Sequence, residues 1–514
     1  MTLLKKIASL VFHRTALVVA LMLFQIALLV VAVVRFSDYF VYFYALCVVL
    51  SVLVVLLIVS TRSDPGYKIA WIIPILLVPV FGGLVYLLFG GNRMSSRLRR
   101  KMESAHRKFS DTLGADCRAE ELLAPYGQDA VNQGRYLERY AQCPPYENTA
   151  AKYYPLGDDV WEDMLEALRG AERYIFLEYF IIERGEFWDS IVAVLEEKAA
   201  AGVEVRLIYD DVGSLYTLPK DYDRTMEARG VHCKVFNRFI PVLSARLNNR
   251  DHRKFLIVDG KVGFTGGINM ADEYVNLRVK YGHWKDSAIR LTGEGVWSMT
   301  MMFLAMWSYM SGKEEDFASF RPASLPAETK GVDGVVQPYW DSPLDGEPVG
   351  ETVYLNLINK AGKYVYITTP YLIISDNVNT ALCAAAKAGV DVRIMTPHVP
   401  DKRTIFEVTQ AHYEPLLEAG VRIYEYTPGF VHAKNFAVDD KYATVGTVNM
   451  DYRSMFLHFE NGVLLYGGKA VLDVKRDFLE TLEKCGEVTL EQCRERSRGR
   501  RLFRAVLRVF APLM

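Results

Sequence analysis

The strongest constraint on what this chain can fold into is an internal repeat. The segment AGVEVRLI at 201–208 returns as AGVDVRIM at 388–395, and EARGVHCKVF at 227–236 is echoed by EAGVRIYEY at 418–426. Around each copy the hydrophobic pattern alternates between strand and helix. The apolar run Tyr174–Ile182 predicts a buried strand, Phe187–Ala200 a helix by its apolar spacing, and Val203–Tyr209 a second strand. In the later copy Tyr364–Ile374, Asn377–Ala388 and Val390–Met395 predict the same order. The expected fold is therefore α/β, with two tandem units, each a mixed sheet flanked by helices, packed about a pseudo-two-fold axis. Residues near 310–350, rich in Pro, Gly and acid, are expected to connect the units.

A chain of 514 residues exceeds one ordinary domain, and its composition is uneven. The long apolar runs lie before residue 90 and most of the charge after it, so the net charge of -1 says little about partners. Thr15–Val34 carries one strongly polar residue, Gln25, while Tyr39–Ser60 and Ile69–Phe89 carry no charge. About 20 residues at 1.5 Å rise cross the roughly 30 Å hydrocarbon core of a bilayer. The first run is longer than the apolar part of a cleaved leader, and two more follow it. The third contains Trp71, Pro74, Pro79, Gly82 and Gly83, which predicts a kinked span or a re-entrant segment. Arg93, Arg97, Arg99, Arg100, Lys101, Arg107 and Lys108 place the chain after it on the cytoplasmic side. Lys5, Lys6 and Arg14 draw the N-terminus to that same side; three full crossings cannot satisfy both, so two or three spans fit.

The expected division is a transmembrane region at 1–92, a basic linker at 93–149, the first repeat at 150–325, the second at 326–490, and a basic amphipathic segment at 491–514. In that last segment Phe503, Val506, Leu507, Phe510 and Leu513 recur at helical spacing, with Arg500, Arg501, Arg504 and Arg508 interleaved. Such a helix suits either the headgroup region of anionic lipid or a docking face on the folded core. The seven cysteines (Cys47, Cys117, Cys143, Cys233, Cys383, Cys485 and Cys493) form no C-x-x-C pair and no cluster with histidine at metal-ligand spacing. That fits a reducing compartment and gives no reason to expect a metal or a disulfide framework.

Each repeat also carries a polar motif. The first copy is His252-Arg-Lys254-Phe-Leu-Ile-Val-Asp259 followed by Gly266-Gly267-Ile268-Asn269. The second is His432-Ala-Lys434-Asn-Phe-Ala-Val-Asp439 followed by Gly446-Thr447-Val448-Asn449. Both read H-x-K-x4-D-x6-G-[GT]-x-N. Histidine and lysine two residues apart on a strand face the same way, and the glycines let the next turn return the asparagine beside them. A lone H-x-K is an ordinary strand edge; two full copies inside a repeated fold point to one composite site.

With these motifs the sequence resembles the phospholipase D superfamily, and within it the bacterial cardiolipin synthases. The resemblance runs from the proline-broken segment WIIPILLVPVFGGLVYLLFG at 71–90 to the C-terminus, and is close in PDKRTIFEVTQAHYEPLLEAGVRIYEYTPGFVHAK at 400–434 and NMDYRSM at 449–455. It implies that the two motifs meet, that one histidine attacks phosphorus to give a phosphohistidine, and that the other protonates the leaving alcohol. By family habit His252 is the nucleophile and His432 the acid. The chemistry needs a nucleophile, an acid and positive charge around the phosphate oxygens. Histidine suits either of the first two roles, and Lys254 and Lys434 with Asn269 and Asn449 can hold the oxygens. Two ammonium groups stand where other enzymes use a metal, so no cofactor is expected. Asp259 and Asp439 lie about 16 Å beyond the lysines on an extended strand and are expected to organise the motif rather than touch the imidazoles. The superfamily implies a supporting carboxylate farther on, here Asp286 in HWKDSAIRL and Glu460 in HFENGVLL. The synthases often have asparagine just before the F-E pair of HFENGVLL, where this chain has His458.

The expected activity is transfer of a phosphatidyl group from one phosphatidylglycerol to another, releasing glycerol. Hydrolysis of phospholipid headgroups is the alternative, and a non-catalytic lipid-binding scaffold a third reading. A nuclease is disfavoured by the apolar runs and by the lack of a broad basic surface on the repeats. The expected setting is the plasma membrane, with the repeats on its cytoplasmic side and anionic lipid as partner.

Overall fold

The computed structural model describes residues 23–24, 26–27, 30–31, 34, 40–61, 64–79, 82–83, 85–86, 90, 118–239, 248–313, 315–329, 331–495 and 497–513. The chain divides into two compact units, one containing the N-terminal apolar region and the other the two repeats.

In the N-terminal unit, helix Phe40–Ser60 is apolar throughout, and its span Val41–Ser60 is long and apolar enough to cross a membrane. It is the one such helix among the described residues. The first apolar run lies largely outside them. The third begins as the shorter helix Pro65–Leu77, which contains Pro74 and is capped by Asp64, whose Oδ1 accepts the Tyr67 N–H at 3.2 Å. Ile58, Trp71, Ile75 and Tyr86 form a small buried cluster there.

Among the described residues the repeat unit is built on twenty strands. Those of the first repeat are β1 (Thr149–Tyr154), β2 (Tyr174–Tyr179), β3 (Glu204–Asp210), β4 (His232–Phe236), β5 (Arg250–Asp251), β6 (Phe255–Val258), β7 (Val262–Gly266), β8 (His283–Lys285) and β9 (Ala288–Gly293). The second repeat carries β10 (Val335–Asp341), β11 (Tyr364–Thr368), β12 (Leu372–Ile373), β13 (Asp391–Pro397), β14 (Arg422–Tyr426) and β15 (Gly429–Val431). It continues with β16 (Asn435–Val438), β17 (Tyr442–Gly446), β18 (Met450–Asp451), β19 (His458–Tyr466) and β20 (Cys485–Val488). The first sheet runs β1-β9-β7-β6-β2-β3-β4 and the second β10-β19-β17-β16-β11-β13-β14-β20. Position for position the two agree: β2, β3 and β4 are mutually parallel, as are β11, β13 and β14, and the remaining neighbours are antiparallel. The repeated wording of the sequence is thus a repeated sheet.

One continuous core contains Phe176, Phe255 and Phe303 from the first repeat and Tyr339, Phe436 and Leu464 from the second. Helix Val296–Ser311 is apolar on every side because every residue from Val296 to Trp307 is buried. Three stretches differ from expectation. Residues 118–141, within the expected linker, form helices that bury Ala119, Leu123, Ala130 and Leu137 in this core. The expected connector contains β10, a fully buried strand at the sheet edge, where Pro338 forfeits no internal ladder bond. The expected strand Tyr364–Ile374 is two, β11 and β12, parted at Thr369-Pro370-Tyr371.

The two repeats exchange short strands. β5 pairs in parallel with β19, placing Arg250 opposite His458, and β15 pairs in parallel with β8, placing Phe430 opposite Trp284. The next residue in each case is a motif histidine: the His252 N–H donates to the Phe459 carbonyl at 2.9 Å, and the His432 N–H to the Lys285 carbonyl at 2.7 Å.

Asp259 and Asp439 directly follow β6 and β16, with φ of 54° and 55°. Asp259 accepts the N–H groups of Glu172, Arg173 and Tyr174 at 2.8–2.9 Å. Asp439 accepts those of Gly362, Lys363 and Tyr364 at 2.6–2.8 Å. Each therefore fixes the start of a central strand, β2 or β11, and neither touches an imidazole. Asp259→Ala leaves three backbone donors unpaired at a buried position and is expected to cost about 2–4 kcal/mol. Chemical denaturation of the two variants should show the smaller loss for Asp439→Ala, whose amides reach solvent.

Candidate active site

The two H-x-K segments lie in the three-residue links that join β5 to β6 and β15 to β16. All four of their functional side chains are buried. Nδ1 of His252 lies 2.9 Å from Oε2 of Glu460, and Nδ1 of His432 lies 2.7 Å from Oδ2 of Asp286. The support is crossed: each histidine is held by the carboxylate of the other repeat. The exchanged strands explain this, because β5 delivers His252 alongside β19, which carries Glu460, and β15 delivers His432 alongside β8, which precedes Asp286. Further bonds tie the halves beside these carboxylates. Ser287 Oγ lies 3.1 Å from Asn435 Oδ1, and Asn461 Nδ2 donates to Thr265 Oγ1 at 2.7 Å.

The alternative residues at the motif's [GT] position follow from the same geometry. A Cβ at Gly267 would collide with Oδ1 of Asp286, so the first copy requires glycine there. In the second copy Thr447 fits, and its hydroxyl donates to Glu460. Lys254 Nζ donates to the His252 carbonyl at 2.6 Å, and Lys434 Nζ lies 2.8 Å from His432 Nδ1. Asn269 is held at both ends, its Oδ1 accepting the Ile181 N–H at 3.0 Å and its Nδ2 donating to the Tyr274 hydroxyl at 2.8 Å. Oδ1 of Asn449 is buried with no hydrogen-bond partner among the described residues.

Burial and mutual repulsion set the charges. Burial, reinforced by Lys434, lowers the His432 pKa to about 4 against the pull of Asp286. Burial and then Lys254 hold His252 well below its usual range. Both imidazoles are therefore neutral near pH 7, and their carboxylate contacts are hydrogen bonds that orient a ring rather than ion pairs. Burial opposes ionisation of Asp286, but His432 and Lys434 outweigh it and hold its carboxyl below the usual range. At Glu460 burial prevails over Lys254 and pushes the carboxyl well up. Burial also lowers Lys254 to about 7 and Lys434 to about 8. If these ammonium groups bind the substrate's phosphate, kcat/KM should fall as pH rises through that interval, because the cations are lost there. A pH profile that stays level across it would remove the lysines from anion binding.

Sequence reading missed the flanks of the site. The ring centroids of His252 and His458 are 5.5 Å apart, and Arg453 Nε donates to His458 Nε2 at 3.3 Å. At the equivalent positions beside His432 stand Trp284 and Phe430, with ring centroids 4.9 Å apart. The signal was available in register: Arg250 and Phe430 each precede a motif histidine by two residues, and His458 and Trp284 each precede a supporting carboxylate by two. One flank is basic and the other aromatic. His252, His458 and Glu460 bring ligand atoms within 4.8 Å of one another, close enough for a metal ion. His252 stands 208 residues before Glu460, so the three give no spacing signal in sequence. The surrounding charges of Lys254, Arg250 and Arg453 favour an anion over a cation there.

A duplicated sheet whose paired H-x-K segments converge on one buried, cation-lined site defines a two-repeat enzyme of the phospholipase D superfamily. Residues 164–286 and 354–482 both match the family described as "Cardiolipin synthase, PLD-like domain", and residues 46–91 match "Phospholipase D-nuclease N-terminal". The cardiolipin synthase of Halalkalibacterium halodurans is 34% identical over 92% of this chain and 94% of its own length. An uncharacterized protein of Streptococcus mutans is 42% identical over 90% of this chain and 99% of its own. Among solved structures, phosphatidylserine synthase of Haemophilus influenzae shares the fold, with a TM-score of 0.55 at 14% identity over 71% of this chain and 95% of that one. The chain belongs to the cardiolipin synthase family of the superfamily and is an enzyme of the phosphatidyltransferase class.

Proposed function

We propose that the enzyme makes cardiolipin by transferring the phosphatidyl group of one phosphatidylglycerol to the free hydroxyl of another, with release of glycerol. The observation that carries this reading is the crossed pair of histidine–carboxylate contacts, which sets two oriented imidazoles and two lysines around one buried space. In the first step a ring nitrogen of His252 bonds to phosphorus as the bond from phosphorus to the glycerol oxygen breaks, and His432 gives that oxygen its proton. The bound phosphodiester anion and ionised Asp286 both favour the imidazolium of His432 at this point. In the second step the acceptor hydroxyl loses its proton to His432 and attacks phosphorus, and His252 leaves. Lys254, Lys434, Asn269 and Asn449 hold the phosphate oxygens. The phosphohistidine keeps the phosphoester's free energy, so one alcohol replaces another without ATP.

The setting we propose is the plasma membrane, crossed more than once, with the two repeats (150–325 and 326–490) on the cytoplasmic side and anionic lipid as both substrate and surface. Anchoring holds donor and acceptor at high effective concentration. Purified protein given phosphatidylglycerol alone is expected to yield cardiolipin and free glycerol in equal amounts. Phosphatidic acid as the dominant product would instead make the enzyme a hydrolase of phospholipid headgroups.

A further inference from the structure

The C-terminal helix Arg498–Phe510 is amphipathic, but it is docked the opposite way from an ordinary surface helix. Its inner face is Arg500, Arg504, Leu507 and Ala511, spaced one helical turn apart. Arg504 is buried, and its Nε donates to Oε2 of Glu407 at 2.6 Å, while its Nη2 donates to Gln410. Arg500 Nε reaches the same Glu407 oxygen at 3.3 Å. Leu507 packs on a small cluster of Ile373, Val408, Tyr452 and Ala511. Two arginines thus share the docking with Leu507 and Ala511, and the outer face carries Leu502, Phe503, Val506 and Val509, with Leu502 69% and Phe503 51% exposed.

Amphipathic helices of globular proteins bury their apolar stripe; a stripe held outward by two ion pairs to Glu407, one of them from the buried Arg504, implies an apolar solvent on that side. Arg498 lies along the stripe and is exposed, where it can meet anionic headgroups; Arg501 flanks the stripe, also exposed, with its Nη2 3.5 Å from Oε1 of Glu414. Helix Arg403–Ala411, on which the segment docks, is tied to β12 by the Leu372 N–H, which donates to Thr409 Oγ1 at 3.2 Å, and β12 pairs with β18, which directly follows Asn449. We propose that the outer face of helix Arg498–Phe510 lies in the headgroup–acyl boundary of an anionic bilayer and sets the catalytic repeats against the lipid surface. This requires a membrane-borne chain but not the transferase reading.

The test uses the full chain with its native cysteines replaced by serine, reconstituted in vesicles of phosphatidylglycerol and phosphatidylcholine. A bimane placed by Phe503→Cys is compared with one placed by Lys469→Cys, a solvent-exposed site. Brominated phospholipid should quench the first several-fold more strongly than the second. Quenching no stronger at 503 than at 469 overturns the proposal. So does a blue-shifted emission at 503 that lipid does not quench and that depends on protein concentration, because a second copy would then cover the face. Adding Leu502→Glu and Val506→Glu should bring quenching at 503 down to the level at 469; quenching that persists would mean the outer face does not hold the helix in lipid.

Discussion

Alanine at either motif histidine, His252→Ala or His432→Ala, is expected to reduce cardiolipin formation by roughly 10⁴-fold or more. The two losses have different causes. Without the nucleophile no bond to phosphorus forms. Without the acid the glycerol oxygen leaves as an alkoxide, and the acceptor hydroxyl in the second step has no base. The His432→Ala protein should therefore form a covalent phosphatidyl-enzyme slowly and fail to discharge it. Mass spectrometry of protein incubated with phosphatidylglycerol reads this directly. An adduct on His252 in the His432→Ala protein supports the proposed order of roles. An adduct on His432 in the His252→Ala protein reverses it, and turnover retained in both would end the two-histidine mechanism.

The second large effect concerns the carboxylates. Asp286→Asn keeps the volume and an Oδ1 that accepts the Ser287 N–H, but replaces an acceptor beside Nδ1 of His432 with an amide able to donate to it. A donor there favours the tautomer whose proton sits on the opposite ring nitrogen, and the ring loses the negative charge that supports its imidazolium. By analogy with the wrong-tautomer variants of catalytic triads, the expected loss in kcat is roughly 10²–10⁴-fold, with little change in folding. Glu460→Gln makes the corresponding change at His252, where burial already pushes the carboxyl up and it also accepts from Thr447, so there the swap tests the ring's tautomer rather than a charge. A loss below about tenfold in either variant, with the thermal midpoint unchanged, would reduce that carboxylate to a packing role.

Much of the architecture was legible because its signal is local. β2, β3 and β13 fall within a few residues of their predicted bounds, since buried parallel strands are continuous apolar runs. β10 was hidden by Pro338 and by the glycine and acid around it, and the helices at 118–141 by the basic stretch before them. The site was legible as a set of residues but not as an arrangement. Asp286 and Glu460 could be picked out by their place after each motif, yet that order suggests partners within a repeat, and the contacts run between repeats. The strands that enforce the crossing are only two or three residues long at their pairing, too short for any periodicity. His458 showed itself only as an unexpected residue before Phe459, because its neighbours Arg250 and Arg453 come from separate elements.

The exchanged strands also bear on descent. A single copy of this unit would carry a histidine whose orienting carboxylate belongs to another molecule, so its working form would be a symmetric homodimer. Symmetry would then force identical residues onto both sides of the phosphate. Fusion of two copies into one chain removes that requirement. Here the paired positions have separated into Arg250 with His458 on one side and Phe430 with Trp284 on the other. The two sides can thereby adapt to unlike parts of one substrate, a freedom that no homodimer of a single-copy ancestor possesses.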